Sequence, residues 1–308
     1  MSSFQRVGLH VSAAGGVEHA PDNAKGFGAE VFQFFSRSPR GGQAPPVTQE
    51  QARLFKARCE EYGLESYIHT PYYINFASKK KTLAQAAIRI VQEELERASA
   101  LGVKYVVTHL GSAKDFPLRH PPSLKLRGTR GFGGQAENVG QDGTPNEALN
   151  QTIAGLKDVF AGSADFSAIL LLEISAGAGA VIGDTFEELA YILTGLGRRD
   201  VHVCLDTCHL FASGYDIRTK ESWHKTMQQF RHTIGISRLK LMHVNDSKVG
   251  LGGHVDRHEH LGKGTMGLES FRVLFSHPDL KEVNFVLETP HDTVIKQDIE
   301  LLKRFRDS

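Results

Sequence analysis

Eight apolar runs rich in Val, Ile, Leu and Phe recur along the chain, at 4–10, 29–35, 64–69, 103–110, 168–174, 201–206, 239–245 and 283–289. Most show little alternation of apolar and polar positions. A strand with one wet face alternates every second residue, whereas a strand covered by helices on both faces reads as a continuous apolar run. The pattern therefore predicts buried parallel strands. The segments between them carry helical periodicity with start and stop signals. Thr48, followed by Glu50 and Gln51, opens a helix that runs to about Tyr62 and stops at Gly63; a second spans 82–101 and ends at Gly102; a third spans 185–196 and ends at Gly197.

Strands alternating with helices across 308 residues point to an α/β fold. The expected architecture is a single-domain (β/α)8 TIM barrel over 1–308; a doubly wound open sheet is the alternative that pattern alone leaves open. One segment breaks the rhythm. Residues 113–145 are rich in Gly and Pro, lack periodicity and carry Lys114, Arg119, Lys125, Arg127 and Arg130. They read as a long loop after the fourth strand, on the face where barrel active sites lie, and the basic residues suggest added phosphate contacts.

Charge narrows the choice of partner. The formal net charge is +1, so no whole-molecule field draws in a polyanion, and nucleic-acid binding would need a local patch. No run of about 18 apolar residues occurs and the N-terminus lacks the apolar core of a secretory signal, which leads us to expect a cytoplasmic protein without a membrane partner. The three cysteines, Cys59, Cys204 and Cys208, form no Cys-x-x-Cys pair, so the sequence suggests neither a disulfide framework nor a thiolate zinc site. Histidine is abundant, with 15 in the chain, and neutral imidazole is the commonest metal ligand.

The histidines and acids fall where a barrel would gather them. Polar residues close the predicted strands: His69 the third, His109 the fourth, Glu173 the fifth, Asp206 the sixth, His243 the seventh and Glu288 the eighth. Consecutive strand ends converge on one rim of a barrel, so these six side chains would share a cavity. Any one of them could merely satisfy a local hydrogen bond. Together, they are imidazole and carboxylate donors suited to Zn or Mn, and carboxylates crowded without a cation would repel one another. Asp206 and His209 would face neighbouring ions if the chain turns helical after the sixth strand. Asp256 and His258, at i and i+2 of an extended segment, would point to one side, although the same loop also reads as a solvated charged stretch. The set of five histidines and four carboxylates suffices for about three zinc ions when one carboxylate bridges. About +6 of metal charge against about −4 of carboxylate favours an anionic substrate such as a phosphodiester.

Three stretches resemble the endonuclease IV family of apurinic/apyrimidinic endonucleases. They are Cys204-Leu-Asp-Thr-Cys-His209 with Gly214-Tyr215-Asp216, His243-Val-Asn-Asp-Ser-Lys248, and Val255-Asp-Arg-His-Glu-His-Leu-Gly-Lys-Gly264. The resemblance extends from Gly8–Gly16 to Leu287-Glu-Thr289, nearly the whole chain. It implies one zinc held by His69, His109 and Glu173, a second by Glu173, Asp206, His243 and Glu288, and a third by His209, Asp256 and His258. Mn2+ at one position is an alternative. Glu173 would bridge two ions and be the catalytic carboxylate. The resemblance further implies hydrolysis 5′ to an abasic site in double-stranded DNA, leaving a 3′-hydroxyl and a 5′-deoxyribose phosphate, by a monomer working at the nucleoid. Arg40, Tyr72 and Tyr73 match the positions that enter the minor groove and hold the flipped-out nucleotide; the same aromatics would also serve as loop packing. One departure stands beside the bridge. Glu173 is followed by Ile-Ser-Ala-Gly-Ala-Gly where the family usually has Asn-Thr-Ala-Gly-Gln-Gly.

Two other classes compete with a nuclease. A barrel sugar isomerase or epimerase would use Glu173, Asp206, His243 and Glu288 with one metal, and would leave the other five candidate ligands without a task. A noncatalytic DNA-damage binder would keep its zinc for structure. A metal count and a nicking assay separate the three.

Overall fold

A computed structural model of the protein describes residues 5–116, 146–161 and 166–308. Most of the 113–145 segment, including Arg119, Lys125, Arg127 and Arg130, lies outside the described residues. Ten strands occur among those described: β1 (Val7–Val11), β2 (Val31–Phe34), β3 (Glu65–His69), β4 (Tyr105–Thr108), β5 (Ile169–Glu173), β6 (His202–Asp206), β7 (Leu239–His243), β8 (Asp246–Ser247), β9 (His258–Glu259) and β10 (Asn284–Leu287). The helices are α1 (Ala20–Gly26), α2 (Gln49–Tyr62), α3 (Lys81–Leu101), α4 (Glu147–Ala161), α5 (Phe186–Leu196), α6 (Thr207–Ser213), α7 (Lys220–Thr233), α8 (Leu268–Ser276) and α9 (Ile295–Asp307). No helix among the described residues is long and apolar enough to cross a membrane.

β1 to β7 and β10 close into a parallel barrel, each strand hydrogen-bonded to its neighbours and β1 to both β2 and β10. All eight expected strands form, so the open-sheet alternative falls. The strands are shorter than the apolar runs, because the flanking residues of each run leave the sheet to pack as loop. Burial on both faces explains the missing alternation. Val31, Tyr67, Val107, Leu171, Cys204, Leu241 and Val286 fill the barrel interior. A larger cluster, with Phe32, Phe34, Phe55 and Trp223 fully buried, fills the layer between strands and helices. Gly8 permits the close approach of β1 to β2, since a Cβ there would lie 1.5 Å from the Val31 carbonyl oxygen.

The expected helix signals operate as read. Thr48 and Gln51 form a reciprocal capping box on α2, each side chain accepting from the other's backbone N–H at 3.1 Å. Gly63 ends the helix at φ 65°, a left-handed conformation costly for residues with a Cβ. The antiparallel pair β8–β9 has no counterpart among the expected elements, because two-residue strands leave no periodic trace in sequence.

Candidate metal centre

The barrel brings all nine candidate ligands to one rim. His69, Glu173, Asp206 and His243 are the last residues of β3, β5, β6 and β7, while His109 and Glu288 follow β4 and β10 directly. Asp206 and His243 are register partners on adjacent strands. After Asp206 the chain does turn helical: Asp206 is the N-cap of α6, its Oδ1 accepting from the backbone N–H of His209 at 2.9 Å. That cap swings the His209 ring back over the rim. Asp256 and His258 come from the long β7–α8 connection and reach inward on the same side, with Asp256 Oδ1 3.2 Å from His258 Nε2.

Glu173, fully buried, is the hub. Its Oε2 lies 2.9 Å from His69 Nε2 and 3.4 Å from His109 Nε2; its Oε1 lies 2.9 Å from His243 Nδ1 and 3.4 Å from His209 Nδ1. Donor atoms of His69, His109 and Glu173 fall within 4.8 Å of one another, as do those of Glu173, Asp206, His243 and Glu288. The third grouping is broader than expected. Asp206 joins His209 and His258 within that distance, and Cys208 joins Asp256 and His258. Burial pushes the Cys208 thiol up to about 12.

The ring orientations carry the chemical argument. His69 Nδ1 meets the Thr70 carbonyl at 2.6 Å, His209 Nδ1 that of Ile174 at 2.9 Å, and His258 Nδ1 that of Glu288 at 3.1 Å. His243 Nε2 meets Gln33 Oε1 at 2.9 Å. A carbonyl oxygen accepts, so each of these ring nitrogens carries the proton and donates. In a neutral ring the other nitrogen then presents a lone pair, and in every case it faces carboxylate oxygens. Two such electron-rich groups repel unless a cation or a proton lies between them. Buried His209 Nε2 and His258 Nε2 have no hydrogen-bond partner, although Asp256 Oδ1 is only 3.3 Å from the first. That is the geometry of ligands facing a shared third party, and the donor set fits a zinc-like ion.

Electrostatics points the same way. Burial opposes ionisation of Glu173, yet His109 and His243 outweigh it and hold the carboxyl well below its ordinary range. Burial likewise opposes charge on His209, which Asp206 and Asp256 overcome, holding that ring well above its ordinary value. His258 is carried up to about 9 by Asp206 and Asp256 against the same opposition.

Comparison with known proteins places the chain. Residues 21–305 match the family model described as a xylose isomerase-like TIM barrel. A "Probable endonuclease 4" from Methanosphaerula palustris is 35% identical over 94% of this chain and 93% of its own length. The chain belongs to the endonuclease IV family. The crystal structure of endonuclease IV from Thermus thermophilus superposes with a TM-score of 0.78, at 32% identity and 98% coverage of both chains. A D-tagatose 3-epimerase-like protein has a TM-score of 0.69 at 16% identity, covering 97% of each chain, a likeness of fold.

Where the chain departs from the usual endonuclease IV pattern at Ile174, the backbone carbonyl accepts from His209 at 2.9 Å, the N–H donates to the Cys204 carbonyl at 3.1 Å, and the side chain is fully buried. Ser175 Oγ donates to the Ile182 carbonyl at 2.9 Å. A cavity of about 370 Å³ opens beside the cluster, with His109, His209 and Asp256 on one wall and Tyr72, Tyr73, Asn75 and Ala176 on others. Tyr72 is 64% exposed and meets Phe35 edge-on at 5.1 Å. Exposed Arg40 stands apart from the cluster, lining a neighbouring cavity that Tyr73 shares.

Three supporting residues, Gln33, His10 and Asn245, escape the sequence reading. Buried Gln33 of β2 accepts from His243 and donates through Nε2 to Glu288 Oε1 at 2.6 Å and to His10 Nδ1 at 3.1 Å. Asn245 donates to Asp206 Oδ2 at 2.6 Å and accepts from the Glu288 N–H at 2.7 Å. A glutamine inside the apolar run Val31-Phe-Gln-Phe-Phe35 is the signal that could have found Gln33, and through it His10, its register partner on β1.

Proposed function

We propose that the protein is a zinc-dependent endonuclease that hydrolyses the phosphodiester 5′ to an abasic site in double-stranded DNA, leaving a 3′-hydroxyl and a 5′-deoxyribose phosphate. The observation that carries this reading is the convergence of imidazole lone pairs and four carboxylates on one rim, in a chain whose relatives are named endonuclease 4 or endonuclease IV. His69, His109 and Glu173 would hold one ion, Glu173, Asp206, His243 and Glu288 a second, and His209, Asp256 and His258 a third, with Asp206 within reach of the last as well. Bound zinc supplies Lewis acidity and a water that ionises near neutral pH.

The chain's own residues do the positioning. Gln33, Asn245 and the carbonyls of Thr70, Ile174 and Glu288 fix ring tautomers and carboxylate directions, so little reorganisation remains when substrate arrives. The cavity beside His109, His209 and Asp256 is where an extruded nucleotide would lodge, and a site without a base has little stacking to lose on leaving the duplex. Tyr72 and Tyr73 on its outer edge, and Arg40 beyond, would occupy the gap and contact the strand. Lys114 belongs to the basic segment expected to meet phosphates, and exposed Lys80 and Lys81, at the start of α3 on the same rim, have no carboxylate partner among the described residues. Such a local patch would supply the attraction that the net charge does not.

A one-metal sugar epimerase is the second reading, favoured by the Glu173, Asp206, His243 and Glu288 quartet and the shared fold. It gives no use to the orphaned nitrogens of His209 and His258. A plasmid carrying abasic sites, incubated with and without chelator, decides. Nicking that requires metal and abasic sites is expected; no nicking above background would refute the nuclease reading.

A further inference from the structure

Two of the candidate ligands, Asp256 and His258, stand on neither a barrel strand end nor a helix that directly follows one, as His209 does. They ride on residues 246–266, a connection whose stretch at Gly250, Gly252 and Gly253 offers little side-chain packing, while Leu261 and Met266 near its return are buried in the core. The N–H groups of Gly252 and His254 also tie it to α6, donating to the carbonyls of Phe211 and Ala212 at 3.0 Å. At its neck lies Asp246, fully buried, whose carboxylate accepts four backbone N–H groups. Oδ1 accepts from Ser247 at 2.7 Å and Met266 at 3.1 Å; Oδ2 accepts from Gly262 at 2.9 Å and Gly264 at 3.1 Å. One side chain thus ties the outgoing and returning ends of the loop together.

The tie transmits directly to the ligands. Asp246 and Ser247 form β8, which pairs with β9 in the register Asp246 to Glu259 and Ser247 to His258. The Lys248 N–H donates to the Arg257 carbonyl at 2.9 Å, pinning the peptide between Asp256 and His258. The Thr265 N–H donates to the Ser247 carbonyl at 2.8 Å, closing the neck from the other end. Space at the neck is exhausted: a Cβ on Gly264 would lie 2.4 Å from the Ser247 carbonyl oxygen and 2.5 Å from Asp246 Oδ1.

We propose that Asp246 is a positioning residue, a clasp that sets Asp256 and His258 in place and so governs how firmly one ion of the cluster is held. The proposal rests on the multinuclear zinc reading above. It separates the ligands into three groups. Those at strand ends are held by the barrel, His209 by the cap of α6 and the Asp256–His258 pair by the clasp, so disturbing the clasp should loosen one ion and leave the others.

Two variants test this. Asp246→Asn keeps the size but presents one oxygen and an NH2, so at least two of the four amides lose their acceptor. Gly264→Ala leaves the carboxylate intact and forces the neck apart, which keeps the test available if the first variant does not fold. Metal release from the zinc-loaded proteins into a chromogenic chelator is timed against the unaltered protein. One equivalent is expected to leave on the order of 10–100-fold faster in both variants, the effect typical of losing a residue that orients ligands. The remaining equivalents should keep their original rates. Folded variants that release every equivalent at the original rate, or all equivalents faster together, would overturn the clasp. An unaltered protein that releases a single equivalent overturns the cluster reading itself, and the clasp with it.

Discussion

Gln33 offers the sharpest test of how the site is organised from behind. Replacing it with Met conserves volume and removes three contacts: from His243 Nε2 at 2.9 Å, to Glu288 Oε1 at 2.6 Å and to His10 Nδ1 at 3.1 Å. His243, fully buried, is left with an N–H and no acceptor, and Glu288 loses a donor. Each orphaned buried group costs about 1–3 kcal/mol, so the metal-free protein should lose about 2–6 kcal/mol, a large share of the about 5–15 kcal/mol typical of a domain. The second effect is on the ion between His243 and Glu288. With ring and carboxylate free to turn, its affinity should fall by about 10–100-fold. Urea unfolding in chelator measures the first effect, and competition with a zinc indicator the second. An unchanged midpoint together with unchanged affinity would refute the claim that β2 orients the ligands of β7 and β10.

Other perturbations separate the parts of the account. Glu173→Gln removes the shared anion, and nicking of abasic DNA should fall by more than the about 10–100-fold expected of an orienting residue, while duplex binding persists in a filter or anisotropy assay; near-normal turnover would count against the bridge. Changing Lys80 and Lys81 together to Gln should lower the slope of log affinity against log salt by about two without altering zinc content, and an unchanged slope would remove α3 from the DNA surface. Glu30 accepts from the Val7 N–H at 3.1 Å and from Arg306 at 2.5 Å; burial opposes its charge, but those donors hold its pKa below the ordinary 4.5. Its contribution is therefore complete above that value and lost as pH falls through the lowered one. Glu30→Gln should cost about 1–2 kcal/mol at neutral pH, and urea unfolding should show that cost shrinking as pH falls below the ordinary 4.5, whereas an equal cost across that range would contradict the linkage.

What the sequence disclosed followed from rules that act along the chain. Unbroken apolar runs such as 168–174 meant burial on both faces, and the barrel interior around Leu171 and Leu241 accounts for it. His69, Glu173, Asp206 and His243 could be assigned to one rim because strand ends in a parallel barrel converge whatever their separation in sequence. The unread parts depend on contacts between distant residues. Gln33 reaches His243 across 210 positions, and nothing local marks the pair. Asp246 lay inside a motif already noted, but its role comes from amides of Gly262, Gly264 and Met266, backbone groups that no side-chain pattern reveals. The sharing of Asp206 between two groups likewise depends on where α6 and the 246–266 connection pack over the rim.

The central claim is that the rim holds a multinuclear zinc site that cuts DNA at abasic positions. The most direct measurement strips the protein with chelator, returns zinc in counted equivalents, and follows nicking of an abasic duplex at each step. Nicking that rises only as the later equivalents bind and levels off near three per chain is the predicted result. Full nicking at one equivalent, or none at any loading, would contradict the account.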